Sequence, residues 1–227
     1  MKQRLRFTLI LTLGLAGCIE THVGSPTEPE FTVPGSGILV TESRTVSGFD
    51  SILLSVPGEL ILEQTGSESL TITAEDNLID DLTSVVAGGR LVLGTRSGVS
   101  IAPRRPILYR LTVRTIGDLV VSGAARVDAS GIQGDRFAFT LSGAGEVNIS
   151  GTVTRQSLTL SGAGNYNAAN LRCRVASIAL SGAGRATLRA SQRIEGVISG
   201  AGILEYYGDP EIAVIVSGSG SIHQVGG

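Results

Sequence analysis

The amino-acid sequence predicts an all-β chain, a right-handed parallel β-helix with coils of about 18–20 residues. Three observations carry that expectation. First, the phrase Ser-Gly recurs at Ser122, Ser142, Ser161, Ser181, Ser199 and Ser217, with gaps of 20, 19, 20, 18 and 18 residues, a period that marks stacked supersecondary units. Second, apolar residues alternate around each serine. Val121, Leu141, Leu160, Leu180, Ile198 and Val216 precede it, and Val127, Val147, Tyr166, Ala186, Leu204 and Ile222 follow five positions later. That period of two belongs to strands with one buried face. Third, 31 glycines, no Trp and only 4% aromatic residues suit thin layers filled by aliphatic side chains. About 20 residues at roughly 3.3 Å each cannot run as one strand in a compact domain, so each copy must bend and lie on the last at about 4.8 Å. Parallel crossovers are overwhelmingly right-handed, which sets the expected hand.

In chain order, residues 1–17 read as a lipoprotein signal peptide. Lys2, Arg4 and Arg6 precede the apolar run "FTLILTLGLAG" (7–17), which is too short to span a bilayer as a helix. "LAGC" (15–18) resembles the bacterial lipobox, in which cleavage precedes the cysteine and the cysteine takes the lipid. Cys18 is therefore the expected lipidation site. Ile19 in place of Asp, by likeness to Gram-negative sorting patterns, points to the outer membrane. The lipidated Cys and residues up to 37, rich in Pro, Gly, Glu and Ser, read as a flexible tether (18–37).

Residues 38–118 read as an N-terminal β region of irregular coils or a cap. "LSVPGELIL" (54–62) overlays "LSGAGEVNI" (141–149), putting Gly58 on Gly145, Leu60 on Val147 and Leu62 on Ile149. Further strand-like runs lie at 69–73, 89–95 and 109–115, and 75–89 reads as either a short helical turn or an irregular loop. Residues 119–227 are the regular repeats. "LSGAG" reads as the bend of each coil, because glycine accepts positive φ and lets backbone pass close to backbone. Parity alone does not decide whether its alanine or its glycines face inward. A serine nucleophile would not come in six copies, and the G-x-S-x-G elbow is absent.

The lipobox, "RTVSGFDSILLSVPGELILEQTG" (44–66), "ITAEDNL" (72–78), the serial S-G-A-G phrases and "YGDPEIAVIVSGSGSI" (207–222) together resemble the GIN-domain family of bacterial envelope proteins. The resemblance covers roughly 38–222. It implies a β-helical adhesin head domain and brings no catalytic residues with it.

A net charge of −2 gives no field for nucleic acid. With two Cys and two His, and no P-loop, dinucleotide, zinc or calcium pattern, we expect no cofactor and no catalytic residues. Cys173 reads as a small core or edge residue. Two columns are candidate sites. Arg136, Arg155, Arg174 and Arg193 recur every 19 residues and would form a basic stripe for an anionic glycan or a lipopolysaccharide phosphate. The alternative is a solvated column partly neutralised by Asp135 and Glu195. Asp128, Asn148, Asn167, Thr187, Glu205 and His223 would form an amide ladder or a sugar-binding face. The expectation is a lipid-anchored envelope module that binds or adheres without catalysis. Its partners would be the membrane, through the lipid, and a glycan or another envelope protein. Against it stand a polysaccharide-acting β-helix enzyme and a partner-binding protein that docks through a coil edge.

Overall fold

The computed structural model describes residues 31–226, so the signal peptide, Cys18 and most of the tether lie outside the described residues. Every described element is a strand except one 3-10 turn, Ile79–Asp81. That turn falls inside 75–89, and strand Leu82–Ala87 follows it. The end of the segment read as tether is also a strand: Phe31–Pro34 pairs in parallel with Val99–Ala102.

Strand Asp118–Gly162 is continuous over 45 residues. Run straight it would reach roughly 150 Å. It turns at its glycines instead, and so lies on itself. A β-carbon built on Gly143 would sit 2.4 Å from the carbonyl oxygen of Gly123, and one on Gly162 would sit 2.2 Å from that of Gly143. The same contact recurs from Gly182 to Gly162, Gly200 to Gly182 and Gly218 to Gly200, with φ between 135 and 149° from Gly143 onward. Only a residue without Cβ fits this column. The second glycine faces inward in the phrases at Ser161 and Ser181: a β-carbon on Gly164 would meet Leu141 Cδ2 at 2.3 Å, and one on Gly184 would meet Leu160 Cδ2 at 2.5 Å. The alanines between them, Ala163, Ala183 and Ala201, are exposed.

Successive copies pair in parallel. Strand Asn165–Gly182 lies on residues 146–162, with Glu146 opposite Asn165 and Leu160 opposite Leu180. Strand Arg185–Gly200 lies on Asn165–Gly182, and strands Ile203–Tyr207 and Glu211–Gly218 lie on Arg185–Gly200. Ser221–Gly226 ends the stack on Ile203–Tyr207. We call each such copy a tier. Leu141, Leu160, Leu180 and Ile198 are all 2% exposed or less, so the alternating residues named from the sequence line the core as far as Leu204, whereas Val216 of the last tier is exposed and Ile222 half-buried. Phe139 and Tyr166 meet inside at 5.1 Å between ring centroids, and Gln156 Nε2 donates to the buried Tyr166 hydroxyl at 2.6 Å.

The overlay of 54–62 on 141–149 also appears in the register. Leu54 lies opposite Val121, Gly58 opposite Ala125 and Leu60 opposite Val127. Chain order then departs from spatial order. Strands Arg90–Thr95 and Leu108–Val113 pair with the outer side of Ser51–Leu54 and Gly58–Gln64, so the 51–64 tier is held between two later segments. Antiparallel strands cover this end: Ser69–Glu75 on Leu108–Val113, Leu39–Arg44 on Ser69–Glu75, and Leu82–Ala87 on Arg90–Thr95. A uniform coil repeat therefore does not extend through 38–118. Glu75, fully buried, ties the cover down by accepting the Gly37 and Arg104 backbone N–H groups at 2.6 and 2.9 Å.

Candidate functional site

The 19-residue arginine column divides on the stacked tiers. Thr154 donates to the Asp135 carboxylate at 3.0 Å, which sets Arg155 one tier beyond Arg136. The residue opposite Arg155 in the next tier is Val175, however, and opposite Val175 comes Arg193. Arg193 is ion-paired, to Glu195 at 2.9 Å and Glu211 at 3.0 Å. Arg174 sits one position off the column. There the Gln192 amide oxygen, oriented to satisfy both side chains, accepts from Arg174 Nη2 at 2.9 Å and Nε at 3.2 Å.

The displacement has a local cause. Between Ala168↔Leu188 and Arg172↔Arg189 the tier of Asn165–Gly182 carries three extra residues, Ala169, Asn170 and Leu171. Between Cys173↔Ala190 and Val175↔Arg193 the following tier carries one extra residue. Two slips of opposite sense within a few residues widen this corner, as bulges do where a sheet must re-aim its side chains. A cleft of about 440 Å3 opens there, lined by Thr152, Val153, Arg172, Cys173, Arg174, Arg189, Ala190, Ser191, Gly208 and Asp209.

Three guanidinium groups therefore border one cleft, against a single carboxylate, Asp209. Arg172 and Arg189 are direct cross-strand partners, so their backbones lie one strand spacing apart. Arg189 is held from two sides: Nε donates to the Ala169 carbonyl at 2.9 Å, and its guanidinium lies 4.7 Å above the Tyr207 ring. Among the described residues none of the three forms an ion pair; on the tiers Arg126, Arg185 and Arg193 do, and Arg136 and Arg155 do not. The floor is apolar and neutral. Cys173 is buried, its Sγ donates to the Arg189 carbonyl at 3.3 Å, and burial pushes its thiol pKa up to about 12. A thiol so far from ionisation is no nucleophile at neutral pH. The cleft can hold an anion by charge and by forked N–H donors, with the Thr152 and Ser191 hydroxyls at its edge.

Arg172 and Arg189 were not candidates on sequence spacing. The signal for Arg172 was the run "NLRCRVAS", where it and Arg174 flank an inward residue, and Arg189 lies in the next repeat, where the length drops from 20 to 18.

The polar column forms a ladder. Asn148 Nδ2 donates to Asp128 at 2.8 Å, and Asn167 Nδ2 donates to Asn148 Oδ1 at 3.2 Å. Thr187 donates to Glu205 at 3.2 Å, and His223 lies opposite Glu205. The amide groups of Asn148 and Asn167 are thus engaged along the stack, and the shallow hollow beside Asp128, Asn148 and Asn167 presents side chains already bonded to one another.

Residues 48–210 match the family model described as "Putative auto-transporter adhesin, head GIN domain". Among solved structures, one described as a putative adhesin from Bacteroides fragilis superposes with a TM-score of 0.68 at 21% identity, over 85% of this chain and all of that one. Another, described as a putative adhesin from Parabacteroides merdae, gives 0.53 at 17% identity, over 86% of this chain and 99% of that one. At these identities the likeness is one of fold. No curated protein matches the sequence.

Proposed function

Since the chain belongs to the head GIN-domain family, matched over residues 48–210, we propose that it is a non-catalytic, adhesin-like binding module of the bacterial cell envelope. The observation that carries this reading is the match itself, joined to a wall of stacked tiers with an arginine-lined cleft that offers binding groups without an acid pair. Glycoside hydrolysis needs two carboxyl groups flanking a bond, and the cleft has Asp209 alone. The tiers form a right-handed parallel β-helix in this reading. Parallel register between copies 17–20 residues apart supports the coil, and the general handedness of parallel crossovers supports the hand.

Cys18 carries the lipid that holds the module to the outer membrane, with the stretch before Phe31 as spacer. The L-A-G-C sequence and Ile19 after it are the support. Acyl chains on one residue contribute about 0.8 kcal/mol per buried methylene, enough together for stable attachment. Expression of the full chain and of Cys18→Ala in a Gram-negative host tests the anchor. The wild-type chain is expected in the outer-membrane fraction and to incorporate labelled palmitate, and the variant to do neither. Equal fractionation of the two would reject the anchor. Comparing adhesion of expressing and non-expressing cells to an envelope-glycan-coated surface tests the binding role.

A further inference from the structure

We infer that the cleft between Arg172, Arg174 and Arg189 is a binding site for a phosphomonoester carried on a sugar. The inference rests on the reading of the chain as an envelope binding module, and it names what that module holds. Three features of the corner point the same way. Its three arginines line one cleft and form no ion pairs among the described residues. Two of them are fixed before any ligand arrives, Arg189 by the Ala169 carbonyl and the Tyr207 ring, Arg174 by Gln192. Rigid guanidinium forks lose little entropy on binding. The cleft also occurs where the register between Asn165–Gly182 and Arg185–Gly200 slips twice within a few residues.

Chemistry narrows the anion. A carboxylate has two oxygens and one charge, which a single forked arginine satisfies. A phosphomonoester offers three acceptor oxygens and a charge of about −1.5 to −2 near neutrality, which matches several guanidiniums at once. At about 440 Å3 the cleft is far larger than a phosphate group alone, and its floor of Val153, Cys173 and Ala190 is apolar. The carrier that suits such a floor is a ring with a C–H face, with hydroxyls that reach Thr152 and Ser191. Free sugar phosphates and the phosphorylated sugar headgroup of lipid A share this chemistry.

The test is calorimetric titration of the full chain, in detergent, with glucose 1-phosphate, beside glucose and glucuronate at equal ionic strength. Flotation with phosphatidylcholine vesicles with and without lipid A forms a second arm. The site predicts binding of glucose 1-phosphate at least tenfold tighter than glucuronate and none of glucose. Arg172→Gln/Arg174→Gln, both exposed positions, should lose at least tenfold with an unchanged melting temperature. The double Lys variant should fall between, because it keeps charge and loses the forks. Arg126→Gln, whose side chain is paired with Glu146, should bind as wild type. Binding to lipid A vesicles alone, lost in the double Gln variant, assigns the site to the lipid headgroup and keeps the chemistry. Equal affinity for glucuronate, or equal loss in Arg126→Gln and the double Gln variant, overturns the proposal, as does binding in neither arm. The titration uses the isolated chain, so its failure leaves envelope attachment to be judged by fractionation.

Discussion

Replacing Gly162 by alanine tests the contact on which the stacking depends. The new β-carbon would lie 2.2 Å from the Gly143 carbonyl oxygen and 3.0 Å from its carbon, where ordinary contact begins near 3.4 Å. The tier must retreat by about 1.2 Å, and its backbone must also keep φ at 135°, where a side-chain-bearing residue is strained by roughly 1–3 kcal/mol. Retreat stretches the Ala163 N–H to Gly143 carbonyl bond from 3.1 Å and the neighbouring Ala183 N–H to Gly162 carbonyl bond from 3.0 Å. Each is worth about 1 kcal/mol net. The sum is about 3–5 kcal/mol, and at 2–4 °C per kcal/mol for a domain of this size the melting temperature should fall by roughly 6–20 °C. Gly66→Ala is the control. Its φ of 86° is also positive, but nothing lies within 4 Å of its β-carbon, so only a conformational cost of about 1 kcal/mol applies. Thermal melts followed by circular dichroism decide it. Equal shifts in the two variants would refute the argument that backbone approach, rather than φ alone, demands glycine in the column.

Glu75→Ala should destabilise by roughly 2–4 kcal/mol, because it leaves the Gly37 and Arg104 N–H groups without their acceptor. Hydrogen exchange should show both amides losing protection together, and Glu75→Gln should cost less. Asn148→Ala removes the bonds to Asp128 and Asn167 and should lower the urea midpoint by an amount equivalent to about 1–2 kcal/mol, whereas Ala163→Ser on the exposed face should leave it unchanged. In a Cys18→Ala chain the remaining thiol, Cys173, should resist a disulfide reagent at pH 8 until denaturant is added. Burial raises its pKa from 9.0 to about 12, so its contribution to stability is complete below pH 9 and is lost as pH climbs toward 12. A Cys173→Ala chain should show a flatter decline in urea midpoint over that window.

Positions fixed by the repeat were legible in the sequence, since stacking makes each one a column. Leu141, Leu160 and Leu180 face the core as alternation required, and Asn148 meets Asn167 as counting from the serines required. What parity left open, the glycine contacts resolve: Gly164 and Gly184 face inward and the alanines outward. The arginine column was less legible because counting assumes equal tiers. The offsets of 20 from Arg155 to Val175 and of 18 from Val175 to Arg193 add up to two spacings of 19, so Arg155 and Arg193 keep the column while Arg174 leaves it in space. The cleft arises from those slips, and a fixed period cannot reveal it. The N-terminal region was hidden for a related reason: the pairing of Ser51–Leu54 with both Arg90–Leu93 and Asp118–Val121 is non-local, with no repeat to announce it.

That sandwiched tier gives the molecule a mechanical polarity. Residues 51–64 are gripped on one side by Arg90–Thr95 and Leu108–Val113 and on the other by residues 118–130, so they cannot peel away from their own end of the chain. Strand Ser221–Gly226 has a neighbour on one side only among the described residues, and its removal exposes the next tier in the same condition. Under a pulling load the stack should unzip from this last strand inward, one tier per step, and stall at the clasp. A force trace would then show a sawtooth of similar small extensions, each the length of one tier, followed by a single high rupture.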